Sequence, residues 1–305
     1  MILTDSEGHG FELRDMNCPT CGTSGKRVLG YRGGRFQRYR MGVETRIVQC
    51  DRCSLIFPDP FPFPLNPQQL YADPDKYFEH FDETEVVAAY RKLIQRITRE
   101  CGKKDYWLLD VGSGRAELLR AAQQEAVNAV GLDISDSMIH RAREQFGIEL
   151  LPYSIEEFVT KSERMFDAVV LNAVLEHVYD PDSMIAAVAR ITRSRGILYI
   201  NVPQEPNLLT LIGNSLNKLV GSKAIYNLQP TWPPYHVFGF NRRSLGMLLN
   251  KHGFEVASVK VHATPKVYAR PEIKDQIKAF VATQINRIAN YTGTASNMYV
   301  WAYRR

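Results

Sequence analysis

Twelve residues, Leu108–Leu119 (LLDVGSGRAELL), constrain the fold of this chain more than any other stretch. Leu108 and Leu109 close an apolar strand, Asp110 stands at its C-terminal tip, and Gly112 and Gly114 turn tightly into a helix beginning near Glu117. Glycines at such a turn let a ligand approach the main-chain N–H groups at a helix N-terminus. This is the nucleotide-binding corner of a doubly wound sheet. Its pattern departs from two common versions. The dinucleotide fingerprint asks for a third glycine where this chain has Glu117, and no Lys-Ser/Thr pair follows as in a phosphate loop. A carboxylate there disfavours a pyrophosphate and suits a ligand carrying an ammonium and a ribose. A second acid, Asp133 in Val130-Gly131-Leu132-Asp133-Ile134-Ser135, follows about 20 residues later at the next strand tip. A carboxylate in that position accepts ribose hydroxyls.

The rest of the chain repeats the alternation of a parallel sheet. Strands are expected at Tyr106–Val111, Ala129–Asp133, Ile148–Leu151, Phe166–Leu171 and Ile197–Val202, with helices near Arg115–Glu125, Ser137–Phe146 and Asp180–Thr192. Phe166–Leu171 is nearly all apolar, as a strand buried on both faces should be. Asp180-Pro181 supplies an N-cap with proline at the first helical position. A capped helix from Phe240 to Asn250, a strand from Gly253, a helix near Glu272–Asn290 and a closing strand at Asn297–Tyr303 complete the pattern. The fold class read from this order is α/β, a doubly wound, seven-stranded Rossmann-like sheet.

A separate module precedes it. Cys18-Pro-Thr-Cys21 and Cys50-Asp-Arg-Cys53 are two C-x-x-C knuckles, a donor set for a tetrahedral Zn²⁺ site. Two short strands around turn glycines fit between them, which makes the module a zinc ribbon. Four cysteine ligands close the site, so its metal is expected to be structural. Cys101 lies outside the set. Between Lys26 and Arg52 lie eight basic residues against Glu44 and Asp51, so the ribbon is basic on a chain of net charge +5. That face suits an anionic substrate, RNA, or solvent. Phe57–Pro64 (FPDPFPFP) reads as a stiff extended connector, leading through Tyr71, Tyr77 and Phe78 to a helix near Glu83–Glu100. The start of the chain is polar and acidic and no run of 18 apolar residues occurs, so the expected location is cytoplasmic.

With DVGSGRAE, GLDIS, FDAVVLNAVLEHVYDP, RGILYINVP and YHVFGFNRRSLGMLLNKHGFEV in place, the chain resembles the class I S-adenosylmethionine-dependent methyltransferases of ubiquinone and small-molecule type. The resemblance covers about two hundred residues and implies the cofactor S-adenosylmethionine and a final strand inserted antiparallel beside the sixth. By position it implies that Asp110, Gly112 and Gly114 face the cofactor's methionine end, Asp133 its ribose, and Ile134 and Met138 its adenine. Ser154 and Ile155 would hold the adenine edge, although the family commonly has an acid where this chain has Ser154. Asn172, at the tip of strand four, would meet the methionine end or the acceptor. The helix before the sheet would cover the cofactor, which brings Tyr71, Tyr77, Phe78 and Arg91 within reach of it. A related group of sugar C-methyltransferases shares a cysteine-rich N-terminal module but has a further C-terminal domain, whereas here Arg305 follows the final strand.

An oxygen acceptor needs a base to take its proton. His177, in NAVLEHV, and His236, in PPYHVF, follow strand tips or loops on the cofactor side and have a suitable imidazole. Glu176 reads as structural. The acceptor pocket is expected at about 204–240, where Leu208, Leu209, Leu211, Ile212, Leu216, Leu219 and Val220 recur at helical spacing beside Lys218 and Lys223. This segment reads as a lid, an interfacial helix for a lipid-linked acceptor, or a packed insertion. The sequence thus divides into a zinc-ribbon module (1–60), a connector with covering helix (61–104) and a methyltransferase domain (105–305). It predicts methyl transfer to a small molecule, O-methylation favoured. An RNA methyltransferase gripping phosphates with the ribbon and a non-catalytic scaffold are the alternatives. Nucleic acid is disfavoured because no Asn-Pro-Pro-Tyr motif follows strand four.

Overall fold

The computed structural model describes residues 1–70, 83–263 and 273–305, with the backbone alone at Gln68 and residues 273–281. The N-terminal part folds as β1 (Ile2–Thr4), β2 (Gly10–Arg14), β3 (Lys26–Arg32), β4 (Thr45–Cys50), β5 (Ile56–Pro58) and β6 (Phe61–Pro64). They form two antiparallel sheets, β1-β2-β6 and β3-β4-β5. The ribbon expected between the knuckles is therefore present, as β3 and β4 with β5 added. Phe57–Pro64, expected to be a stiff connector, is extended but not free. Phe57 and Phe61 are wholly buried and draw β5 and β6 onto the two sheets. Pro62 and Pro64 fit because β6 is an edge strand.

After α1 (Pro67–Leu70) and α2 (Glu83–Cys101) comes the central sheet: β7 (Trp107–Val111), β8 (Asn128–Leu132), β9 (Phe166–Asn172), β10 (Thr192–Pro203), β11 (Phe254–His262) and β12 (Asn297–Arg304). Its order is β11-β12-β10-β9-β7-β8. The pairs β7–β8, β7–β9 and β9–β10 are parallel, whereas β12 runs antiparallel to both β10 and β11. The sheet has six strands in ladders. The strand expected at Ile148–Leu151 is reduced to one bridge, Leu132 to Leu151, and the Tyr153 N–H, the next donor in line, turns back to the Leu151 carbonyl instead of extending the ladder. The helices α3 (Glu117–Gln124), α4 (Asp136–Phe146), α5 (Ile155–Lys161), α6 (Pro181–Ile191), α7 (Leu208–Leu219), α8 (Arg242–Lys251) and α9 (Ile273–Thr292) connect or cover these strands. Ala168–Leu171 of β9 have no exposed surface, as the apolar run required. Asp180 caps α6 by accepting from the Ser183 N–H at 3.0 Å.

The sheet order places the site. From β7 the chain steps to β8 on one side, then returns to β9 on the other. The crevice outside the C-terminal ends of β7 and β9 is the topological switch point, where open α/β sheets bind ligands.

The N-terminal part is clamped onto the segment 223–241 that follows α7. Tyr31 N–H donates to Lys223 O (3.0 Å), and Ile225 N–H to Tyr31 O (3.2 Å). Ile56 and Gly239 exchange two backbone bonds, and Asn241 donates to Ser54 O. Buried Arg32 donates from Nε to Leu228 O and from Nη1 to Ile225 O, both at 2.8 Å, with its guanidinium over the Trp232 ring. Replacing it by alanine leaves two carbonyls without that donor. Arg32→Ala is expected to cost about 3 kcal/mol, from two hydrogen bonds to a charged group, and Arg32→Lys nearly as much because an ammonium lacks the fork. Urea unfolding curves of the three proteins check this; a shift no larger than that of an exposed control such as Arg38→Ala would contradict it.

Candidate functional site

The site is built on the loop after β7. Gly112 (φ +68) and Gly114 (φ +52) both lie in the left-handed region, and a Cβ at Gly112 would stand 2.7 Å from Val174 Cγ2. The glycine loop and the loop after β9 thus pack directly on each other. Ser113 N–H donates to Leu132 O (2.9 Å), and the Gly114 N–H to Asp133 Oδ2 (2.8 Å). The other carboxylate oxygen of Asp133 accepts from the Ser135 N–H (2.9 Å). These bonds fix the tips of β7 and β8 together.

Three carboxylates converge there. Asp110 is 3 % exposed, and burial, with Asp133 and Glu117 nearby, pushes it up to about 7 despite a bond to Ser113. Burial also raises Asp133 against the pull of its backbone donors. Glu117 is buried and paired with Arg115 at 2.6 Å. A low-dielectric corner holding this much acid favours a cation.

On the other side of the crevice, Asn172 at the tip of β9 donates to the Tyr90 hydroxyl (2.7 Å) and accepts from Asn201 Nδ2 (2.9 Å). Asn201 Oδ1 is buried with no hydrogen-bond partner. Burial, and then Asp110 and Glu117, raise the Tyr90 phenol above its ordinary value. Tyr90 and Asn201 escaped the sequence reading. Tyr90 recurs with Val86, Val87, Leu93 and Ile94 at helical spacing, and a phenol among those aliphatic residues is the available signal. Asn201 sits in an apolar strand, and only the parallel register with β9 brings it opposite Asn172.

The other expected cofactor contacts are spread out. Ile134 is exposed on the rim, Met138 is buried on α4, and Ile155 is wholly buried in the core with Leu132 and Phe158. Ser154 caps α5, accepting from the Glu157 N–H (3.2 Å) while Glu157 reaches back to its N–H. Arg91 is held on the surface by Glu125 at 2.7 Å. Tyr71, Tyr77 and Phe78 lie outside the described residues.

The two histidines proposed for chemistry do meet. The rings of His177 and His236 are edge to face with centroids 4.7 Å apart, and His177 Nε2 is 3.7 Å from Glu176 Oε1. The Glu176 carbonyl accepts from Val237 N–H (2.9 Å) and Phe238 N–H (3.2 Å), which ties the two loops. Glu176 has no exposed surface, and neither carboxylate oxygen has a hydrogen-bond partner. Burial pushes it up to about 8, takes His236 down to about 4, and with His236 beside it holds His177 well below the ordinary imidazole range. The cheapest state is therefore neutral throughout. Glu176, His177 and His236 offer three ligand atoms within 4.8 Å of one another, a donor set fit for a divalent transition metal.

The cysteine cluster is a second donor set. The sulfurs of Cys18, Cys21, Cys50 and Cys53 all lie within 4.8 Å, with Cys18–Cys53 at 3.4 Å and Cys21–Cys50 at 3.5 Å. None forms a disulfide. Four sulfurs around Zn²⁺ stand about 3.8 Å apart on a tetrahedron of the usual radius, so the geometry fits a structural zinc.

Comparison with known proteins shows the family. A family model described as a methyltransferase domain matches residues 78–259, more than half of the chain. The chain belongs to this methyltransferase family. It is 30% identical over 114 residues to a ubiquinone biosynthesis O-methyltransferase of Saccharophagus degradans, covering 35% of this chain and 48% of that protein. To the protein of the same name from Coxiella burnetii it is 30% identical over 145 residues, 45% of this chain and 58% of that one. The chain spans about half the length of these curated relatives. A crystal structure of a SAM-dependent methyltransferase from Archaeoglobus fulgidus superposes with a TM-score of 0.51 at 18% identity, covering 73% of this chain and 95% of the other. S-adenosylmethionine is the cofactor of this fold. Its cationic sulfonium and ammonium fit the acidic corner, and the orphaned Asn201 oxygen is an acceptor for an ammonium.

The Asp110 carboxyl gives the site a pH signature. With Asp110 facing the cofactor, as the resemblance implies, its ionised form attracts the cation; burial pushes the carboxyl up to about 7, so affinity is expected to rise with pH up to neutrality, about tenfold per unit below it. Calorimetric titration with S-adenosylmethionine across this range checks the slope; Asp110→Asn should flatten it.

Proposed function

We propose that the protein transfers a methyl group from S-adenosylmethionine to a hydroxyl oxygen of a small-molecule acceptor. The observation that carries this reading is the pair of adjacent imidazoles, His177 on the loop that packs against the glycine turn and His236 on the segment after α7 that is bonded to it. In this reading Asp133 takes the ribose hydroxyls, Asp110 and Asn201 face the positively charged methionine end, and Gly112 and Gly114 leave room for it. Bound there, the cofactor supplies an electrophilic methyl on a sulfonium. Displacement on such a carbon is chiefly a matter of alignment, which the rigid tips of β7 and β9 provide. His236 or His177 accepts the acceptor's proton, a task open to an imidazole that is uncharged at neutral pH. The partial matches to ubiquinone O-methyltransferases support oxygen over nitrogen or carbon.

One observation favours a second reading of the same histidines. Both oxygens of Glu176 are buried without donors, which a divalent cation shared with His177 and His236 would satisfy. The cation, rather than an imidazole, would then lower the acceptor's pKa.

Incubation with labelled cofactor and a panel of sugars, phenols, peptides and RNA tests the proposal. Label is expected in a hydroxylated small molecule; label in RNA alone would overturn it. Asp133→Ala should weaken cofactor binding about 10- to 100-fold with zinc content unchanged, the loss of hydrogen bonds to a carboxylate. His236→Ala should lower kcat by about 10²- to 10⁴-fold with cofactor affinity preserved. Stripping weakly held metal leaves activity intact if an imidazole is the base, and abolishes it, with rescue by Mn²⁺ or Zn²⁺, if Glu176 anchors a cation.

A further inference from the structure

The helix α7 is inside out. Thr210, Asn214 and Asn217 face the protein, while Leu209, Leu211, Ile212, Leu216 and Leu219 are exposed. Thr210 is the one residue of α7 that is buried, bonded to Glu205 Oε2 at 3.1 Å. Asn214 bonds the buried Asn227 (2.7 Å) and the Tyr226 N–H (2.8 Å), and Asn217 bonds Ala224 O (2.8 Å). These inward residues are four and then three apart, one helical face. The opposite face carries Leu209, Ile212, Leu216 and Leu219, and runs on to Val220. Leu216, Leu219 and Val220 are 58%, 82% and 79% exposed. Of the large hydrophobic residues exposed among the described residues, six lie within the twelve positions Leu209–Val220. Scattered exposed leucines need no explanation, but a contiguous helical face of them marks a surface made to be covered.

Charge identifies the cover. No Asp or Glu occurs between Glu205 and Glu255, whereas Lys218, Lys223, Arg242, Arg243 and Lys251 do. Lys218 and Lys223 are exposed at the C-terminal end of the apolar face. The element docked beside that end is β3 of the basic N-terminal module, through Tyr31 and Lys223. A second copy of the chain meeting this face symmetrically would set these cations against their own kind. An anionic lipid surface matches both features: acyl chains accept the leucines and headgroups accept the lysines.

We infer that α7, with Lys218 and Lys223, is a docking face for an anionic phospholipid membrane, on which the protein rests without spanning it. No described helix is long and apolar enough to cross a bilayer. The segment that ends α7 continues into His236, so the docked face and the candidate catalytic loop belong to one insertion. The inference concerns binding to lipid, and its failure would leave the methyl-transfer reading untouched.

Flotation of the full chain with phosphatidylglycerol–phosphatidylcholine vesicles tests it, against pure phosphatidylcholine vesicles. The protein should float with the anionic vesicles and stay behind with the neutral ones. Lys218→Gln and Lys223→Gln should each weaken binding about fivefold. The double variant Leu216→Glu/Leu219→Glu should abolish it. Unchanged zinc content and unchanged affinity for S-adenosylmethionine show that the variants are folded. Equal flotation of wild type and the double variant, or no flotation of wild type, overturns the inference. So does a wild-type dimer in sedimentation equilibrium that the leucine variant dissociates.

Discussion

The hydrogen bond from the Gly114 N–H to the Asp133 carboxylate joins the tips of two strands that the chain leaves in different places. It also meets part of the charge of Asp133, which stands beside buried Asp110 and Glu117. The partners of Asp133 there are backbone donors, from Gly114 and Ser135, and the first of them is set by the tight turn that the two glycines supply. The missing side chain at Gly112 also lets Val174 pack on the turn, and Val174 belongs to the loop that carries His177. The glycine turn therefore touches both the tip of β8 and the loop that carries His177.

Much of this was legible in the sequence because it is local. The order strand, glycine turn, helix, strand and acid is set by residues within one βαβ unit, and the apolar run of β9 announces a strand covered on both faces. The cysteine pairs reveal a metal site because chelation needs particular atoms at particular spacing. What was not legible depends on register between distant strands. Asn201 becomes an orphaned acceptor only because β10 lies beside β9, and Tyr90 becomes polar in function only because its helix crosses the tip of β9. The proline-rich stretch Phe57–Pro64 misleads for the same reason: its phenylalanines find partners on two sheets that the sequence does not place side by side. Ser154, which the resemblance sets at the adenine edge, also has a local role that its spacing to Glu157 announces, as a helix cap.

The N-terminal module does more than add a metal. The segment from Lys223 to Asn241 is held on one side by β3, β5 and Arg32, and on the other by the carbonyl of Glu176. It has little regular structure of its own, so its shape is borrowed from these two walls. The module's charge and the inverted polarity of α7 then fall on the same flank of the molecule. Burial of Glu205, pushed up to about 7 and bonded to Asn227 and Thr210, fixes the inner face of that flank.

The position of β12 has a consequence for how the sheet comes apart. β11 is joined to the sheet only through β12, and β12 is held by β10. The residues just before β12 also accept backbone bonds from Gln204 and Leu208, at the root of α7. The two antiparallel strands therefore form a flap hinged on β10, with α7 fastened to its rim. Amide exchange in β11 is expected to be no slower than in β12, and an opening that frees them removes two backbone bonds at the root of the leucine-faced helix, which β10 and the bond from Glu205 N–H to Phe240 O still hold.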